Sequence, residues 1–458
     1  MNYDDALVWL DSHINSETGV VVDRAGIPVW SAPSSSPTVA GRRLDPPNLG
    51  RMRELLAYLG DPQLDLDIVH ITGTNGKGSV ARMVASLLTA AGQSVGVTTS
   101  PHLASFHERI VALGEPIGNA ALADQLTAVA LAEQVAVERG GERASWFEIM
   151  IAVAFRWFND IAVDASVVEV GAGGRFDATN TSDGAVAVVT NVALDHVEWF
   201  GPTTADIARE KSGIIKAGAA VVIGETNPDL VAIFEARAAE VGTSSVALAG
   251  IDFACDSNRL AIGGRLLTLR TPRASYPQVF LPLHGSHQGD NAAIALAAAE
   301  AFLGDELSPD TVAEGFAQVT NPGRMEVLRR DPLIVLDGAH NEAGARVMGA
   351  ALAETFAANK RHIIVLGLLK GREPSEIISA LMASGEIALI VAVAPPTQRA
   401  LDPELITAAA RGLGIDAVTA PSVARAIELA EDAADDHSLI AITGSLYLVA
   451  DARARLQR

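Results

Sequence analysis

The chain has 458 residues, 49% of them hydrophobic and only 5% aromatic, with a single cysteine, Cys255. That length exceeds one ordinary core and argues for two domains, and a formal net charge of −21 speaks against nucleic acid and anionic membrane as partners. One cysteine excludes an intrachain disulfide and any cysteine-based zinc site, while abundant Ala, Val, Leu and Gly suit an α/β protein with large parallel sheets.

The N-terminus, Met1-Asn2-Tyr3-Asp4-Asp5, has no basic segment followed by an apolar one. No apolar run is expected to span a bilayer, so a cytoplasmic protein is predicted. Leu7, Val8 and Leu10 predict a short amphipathic helix over Tyr3 to Ile14. Residues 31–37, rich in Pro and Ser, predict a loop. A helix resumes from Asn48 to Leu59, with Met52, Leu55, Leu56 and Leu59 on one face.

The β-branched run Ile68–Thr72 then stops at Gly73-Thr74-Asn75-Gly76-Lys77-Gly78-Ser79. From Ser79 onward Val80, Met83, Val84, Leu87 and Leu88 recur at helical spacing. Strand, tight glycine loop and helix make a phosphate cradle: backbone N–H groups point into the loop and Lys77 adds positive charge. The general G-x-x-x-x-G-K-[ST] pattern is not met, because Gly73 is too close to Gly76 and Gly78 separates Lys77 from Ser79. A glycine turn of any doubly wound domain is the alternative.

Ser94 to Thr99 predicts a strand ending in Ser100-Pro101-His102-Leu103, where open α/β sheets bind ligands. Leu122 to Val137 and Phe147 to Phe158 predict helices, and Glu148 serves either as a cap on the second or as a substrate contact. Glu169 lies inside the otherwise apolar strand Ala165–Val170. A buried carboxylate there needs a cation, either Arg175 or a metal, and a phosphate loop favours Mg²⁺. Val186 to Val192 leads to Asp195 and His196. The helix Asp206–Lys211 is expected to leave Glu210 and Lys211 on a solvated surface.

Strand-like and helical pieces alternate from Val221 to Leu283, and an Ala-rich helix reaches Phe302. Asn321-Pro322-Gly323-Arg324 reads as a hinge, dividing the chain into residues 1–320 and 321–458. Beyond it the strands Leu333–Leu336, Ile363–Leu366, Leu389–Val393 and Leu439–Ile442 alternate with helices, predicting a small parallel sheet. Asp337 and His340 follow its first strand.

Together these motifs resemble the folylpolyglutamate synthase/dihydrofolate synthase family, the folate branch of the Mur ligases. The matching pieces are the loop Gly73–Ser79, Ser100–Leu103, Phe147-Glu148, Glu169–Arg175 with Asp177–Asn180, Asn191 through His196, Glu210–Lys216, His287-Gln288 with Asn291, Pro322–Arg324, Asp337–Asn341 and Thr443–Tyr447. The resemblance implies a large P-loop-type N-terminal domain with a parallel central sheet and a smaller Rossmann-like C-terminal domain. It implies that Gly73, Thr74, Asn75, Gly76, Lys77, Gly78 and Ser79 hold ATP, with Asn291, Arg324 and Asp337 completing the nucleotide site across the cleft. Ser79, Ser100, Glu169 and His196 match Mg²⁺ ligands. Lys211 matches a carbamylated lysine that orients a second Mg²⁺. Phe147, Glu148, Phe176 and Asp177 match the pteroate side, and His340 is a helper for the amine.

The activity implied is ATP-dependent ligation of L-glutamate to dihydropteroate or to reduced folates through an acyl phosphate, by a monomer. Three departures stand out: a longer, Pro/Ser-rich approach from Gly19 to Leu44, Ala172 in the glycine run, and Leu368–Glu373 in place of an Asp-Lys-Asp-like stretch. The competing readings are another Mur-type amino-acid ligase and a non-catalytic nucleotide-binding protein of the same fold. Against the first, fewer than about 75 residues precede Gly73, too few for a separate UDP-binding domain.

Overall fold

The computed structural model describes residues 1–13, 15, 21–22, 28–29, 38–39, 42–43 and 49–457. The loop expected at 31–37, the predicted helix end at Ile14 and most of the Gly19–Leu44 approach lie outside the described residues.

The larger part is built on one sheet. Its strands in chain order are β1 (Ile68–Thr72), β2 (Val95–Thr98), β3 (Ile110–Ala112), β4 (Glu115–Pro116), β5 (Ala165–Glu169), β6 (Val186–Val189), β7 (Ala220–Ile223) and β8 (Ser245–Leu248). The spatial order is β8-β7-β6-β1-β5-β2-β3-β4, parallel from β8 to β2 and antiparallel at the β3–β4 edge. β1, β5 and β6 are buried along their whole length, as strands covered on both faces must be. Alternation splits β1 between two cores: Val69 and Ile71 face the helices Lys77–Ala90 and His287–Leu303, whereas Ile68 faces Trp146–Asp160.

β1 lies between β5 and β6, neither of which precedes or follows it directly in the chain, so the connections diverge at its carboxyl end and leave a crevice there. Register then sets the site. Thr72 pairs with Val189 and Ile71 with Glu169, which brings the glycine loop, Glu169 and the loop after β6 to one edge.

The helix Asn119–Glu138 corrects the expectation that no run could span a bilayer, since by length and composition it could. Its Ala-rich sequence hides that length from a reading by eye. The helix packs against Tyr3–Asp11, Gly50–Tyr58 and Trp146–Asp160, burying Leu122, Leu126 and Val129.

A three-stranded antiparallel sheet, β9 (Ala254–Ala261), β10 (Gly264–Arg270) and β11 (Ser275–Leu281), covers the outside of helix His287–Leu303. It lends Leu267, Leu269 and Tyr276 to the larger core. After 321–324 the chain forms β12 (Glu326–Arg330), β13 (Leu333–Leu336), β14 (Arg361–Leu366), β15 (Glu386–Ala392), β16 (Ala417–Thr419) and β17 (Ser438–Thr443). Their order is β12-β13-β17-β14-β15-β16, parallel except for β12. The two parts touch through Arg265 of β10, only 1% exposed, whose guanidinium grips the Glu354 carboxylate with two bonds of 3.0 and 2.8 Å.

The close packing of β2 on its covering helix yields a stability prediction. Phe158 is fully buried, and a Cβ on Gly96 would stand 2.7 Å from its ring. Phe158→Ala is expected to destabilise the larger part by about 3–5 kcal/mol, read as a lower urea midpoint with unchanged slope.

Candidate functional site

The glycine loop is held from one side. Thr74 N–H donates to the Asn191 carbonyl (2.9 Å) and Asn75 N–H to Asn191 Oδ1 (3.0 Å), while Asn191 Nδ2 and Thr190 Oγ1 return bonds to the Asn75 carbonyl. This clamp leaves no room at Gly73, whose added Cβ would run into Thr190 Oγ1. Gly76 lies against Asn291 Oδ1, and Asn291 Nδ2 donates to Gln288 Oε1 at 3.0 Å.

Two lysines converge on a single acceptor. Lys77 Nζ donates to the Gly73 carbonyl at 3.1 Å and to that of Thr74 at 3.3 Å, and Lys211 Nζ donates to Gly73 at 2.8 Å. Lys211 is only 4% exposed, contrary to the solvated surface expected of it. The Gly173–Arg175 turn crosses over the end of its helix so closely that a Cβ on Gly174 would meet the Lys211 carbonyl at 2.9 Å. Burial, reinforced by the Lys77 charge, lowers the Lys211 pKa to about 7.

At the same edge the buried Glu169 carboxylate accepts from Ser100 N–H at 2.9 Å. Burial raises its pKa, opposed by the charges of Lys77, Arg324 and Arg82 and by the Ser100 bond. Arg175, the alternative partner, lies beside Glu210 instead. From the linker, Asn321 Nδ2 donates to Ser79 Oγ at 2.7 Å, and Arg324 brings its charge toward Glu169 and Asp337. Asp337 is buried and accepts from the Met325 and Ala339 N–H groups.

A second cluster centres on Asp195, in the loop after β6. Its carboxylate meets Arg372 Nη2 at 2.8 Å, Asn341 Nδ2 at 3.3 Å and His340 Nε2 at 3.8 Å. Burial alone would raise this carboxyl, but the neighbouring His340 imidazole and the charges of His196 and Arg372 carry it well below the usual range. His196 takes a left-handed φ of 50° and stays beside Asp195. Among the described residues no three His, Cys, Asp or Glu side chains approach closely enough to hold a metal ion. The hard oxygens of Ser79, Ser100 and Glu169 nonetheless suit Mg²⁺, and a buried, readily neutral Lys211 suits reaction with carbon dioxide.

Phe147 lines one small pocket with Ser100 and Glu169 and packs over Gly171, and Phe176 is 43% exposed. Glu148 is committed to the backbone N–H of Ser145 in a capping box and to Arg51, whose Nε donates at 2.9 Å. Asp177 accepts from Thr179 N–H and Oγ1 and from Ala172 N–H, fixing the turn after the glycine run. Sequence reasoning missed Asn321 as a partner of Ser79, and Asp195 and Arg372 as a pair. The available signal was the clustering of polar residues after strand ends.

The Mur ligase middle domain family matches residues 71–299 and the Mur ligase glutamate ligase domain family matches residues 323–446. A dihydrofolate synthase/folylpolyglutamate synthase of Mycobacterium tuberculosis is 39% identical over 455 residues, covering 91% of each chain. A Mycobacterium tuberculosis folylpolyglutamate synthase solved with ADP and AMPPCP superposes with a TM-score of 0.85 at 39% identity, over 90% of this chain and 96% of that one. An FPGS–AMPPCP–folate complex superposes at 0.82 with 31% identity, covering 100% of both chains.

Two expectations follow from the geometry. Gly73→Ala should weaken binding of an ATP analogue by at least about tenfold, measured by calorimetry, because the new methyl displaces the Thr190 clamp. For Lys211, the penalty of burying an ammonium is fully present below the folded pKa of about 7 and disappears as pH rises toward the ordinary 10.5. Lys211→Met should therefore be stabilised relative to wild type at pH 6 more than at pH 9, read from melting temperatures at both.

Proposed function

The chain belongs to the folylpolyglutamate synthase/dihydrofolate synthase family of Mur ligases, and we propose that it uses ATP to join L-glutamate to dihydropteroate, to reduced folates, or to both. The observation that carries this reading is the meeting of Lys77 and Lys211 on the Gly73 carbonyl, at the mouth of a glycine loop facing a second domain. Lys77 presents positive charge to a polyphosphate there, while burial leaves the neighbouring Lys211 amine readily neutral and so able to take up carbon dioxide.

In the reaction proposed, an acceptor carboxylate oxygen attacks the γ-phosphorus of ATP, the β–γ bridge bond breaks, and ADP leaves. The glutamate amine then attacks the acyl carbon, loses its proton, and expels phosphate as the amide forms. Phosphoryl transfer requires mainly positioning and charge neutralisation. In this reading Lys77 and the N–H groups of the loop supply these to the phosphates, while Arg324 and Asp337 close the nucleotide site from the other domain. Bound Mg²⁺ would add charge neutralisation, held by Ser79, Ser100, Glu169 and His196, with carbamylated Lys211 orienting a second ion. In the same reading His340 takes the amine proton. Phe147 and Phe176 offer aromatic surface to a pteroate, with Glu148 and Asp177 shaping the surrounding turns. The division at residue 320/321, a monomeric enzyme and a cytoplasmic setting belong to the same proposal. Enclosure between two domains would keep water from the acyl phosphate.

Incorporation of labelled glutamate into dihydropteroate or a reduced folate tests the reading. Lys77→Ala and Glu169→Ala should each lower the rate by about a thousandfold or more while circular dichroism shows a folded protein. Full activity in either variant, or ligation only to a UDP-muramoyl acceptor, would overturn it.

A further inference from the structure

We propose that Arg372 is a positioning residue for the ligation: through Asp195 it bolts the C-terminal domain onto the glycine loop. The pair joins the two domains directly, since Asp195 follows β6 and Arg372 follows β14, and the N–O distance is 2.8 Å. Both side chains are largely buried, 10% exposed for Asp195 and 23% for Arg372, so the attraction is less screened than at an open surface.

The same carboxylate takes Asn341 Nδ2 at 3.3 Å, and that amide lies 3.3 Å from Asn75 Oδ1. Asn75 is itself held by Asn191 and Thr190. Arg372, Asp195, Asn341 and Asn75 thus form one polar chain from the C-terminal domain to the phosphate cradle. His340 rides on it: its Nδ1 lies 3.0 Å from the Gly338 carbonyl, and its Nε2 faces Asp195 at 3.8 Å. Fixing Asp195 therefore fixes two successive residues, His340 and Asn341, against the loop.

Arg372 does not carry the attachment of the domains alone. The buried Arg265–Glu354 pair and the Asn321–Ser79 bond join them elsewhere. Loss of Arg372 therefore loosens the cleft and leaves the fold intact. Its own reach is spent on Asp195, which makes its effect on the reaction indirect.

The inference rests on the ligase reading, so its test includes a measurement made without substrates. Hydrogen exchange of the nucleotide-free protein should quicken in segments 73–76 and 338–341 in Arg372→Met and in Asp195→Asn, and return toward wild type in Arg372→Lys. In the glutamate-incorporation assay, Arg372→Met should lower kcat by about tenfold and leave the acceptor KM within about twofold. The Arg372→Met/Asp195→Asn double variant should lose no more than the worse single variant. Unchanged exchange in both segments, or losses that multiply in the double variant, would overturn the role of Arg372. A wild-type protein without ligase activity whose exchange nevertheless responds would instead overturn the ligase reading alone.

Discussion

Two lysine side chains sharing the Gly73 carbonyl set the terms for everything around them. Lys77 arrives from the first turn of the helix after β1, and Lys211 from the last turn of Thr204–Lys211. The chain as a whole carries a net charge of −21, yet this cleft gathers Lys77, Lys211, Arg82 and Arg324 against the buried carboxylates Glu169 and Asp337. Against an overall acidic chain, Lys77, Arg82 and Arg324 give this cleft local positive charge for a polyanion. The burial that makes Lys211 easily neutral is also what lets two lysines lie so near each other.

The sheet supplies the frame. Because β1 lies between β5 and β6, the loops that follow these three strands open side by side. Each brings a different chemistry: the glycine loop after β1, a carboxylate at the end of β5, and the Asn191–His196 segment after β6. The last of these has two tasks, since Thr190 and Asn191 clamp the glycine loop while Asp195 reaches the other domain. The linker adds a further connection, with Asn321 on Ser79 and Arg324 facing Glu169 and Asp337. A shift between the domains therefore changes the surroundings of the phosphate loop itself.

Much of this could be read from the residues. β1, the helix after it and the alternating C-terminal elements follow from apolar periodicity, and their ends move by only a few residues. Glu169 stood out because a charge inside an apolar strand is costly unless it is matched. β12 escaped notice because Glu326-Val-Leu-Arg-Arg330 reads as a polar segment, which an edge strand tolerates. Lys211 was unreadable for a different reason. Its helix looks amphipathic and exposed, but the Gly173–Arg175 turn crosses over the helix end and the Gly73 carbonyl takes the side-chain nitrogen, both from other parts of the chain. Asp195 and Arg372 meet because two strand-end loops on different sheets face each other, a fact of tertiary arrangement that local pattern does not encode.

The committed side chains are as informative as the free ones. Glu148 spends its carboxylate on a helix cap and on Arg51, and Asp177 spends its own on Thr179 and Ala172. Both carboxylates thereby fix the turns that border the site. In the proposed reading Phe147 and Phe176 meet the flat aromatic acceptor, one packed over Gly171 and the other 43% exposed. Recognition by ring faces and backbone discriminates weakly between substituents far from the reacting carboxylate. Under the proposed function a site built this way would take a pteroate and a folate alike, provided each delivers its carboxylate to the same edge of the sheet.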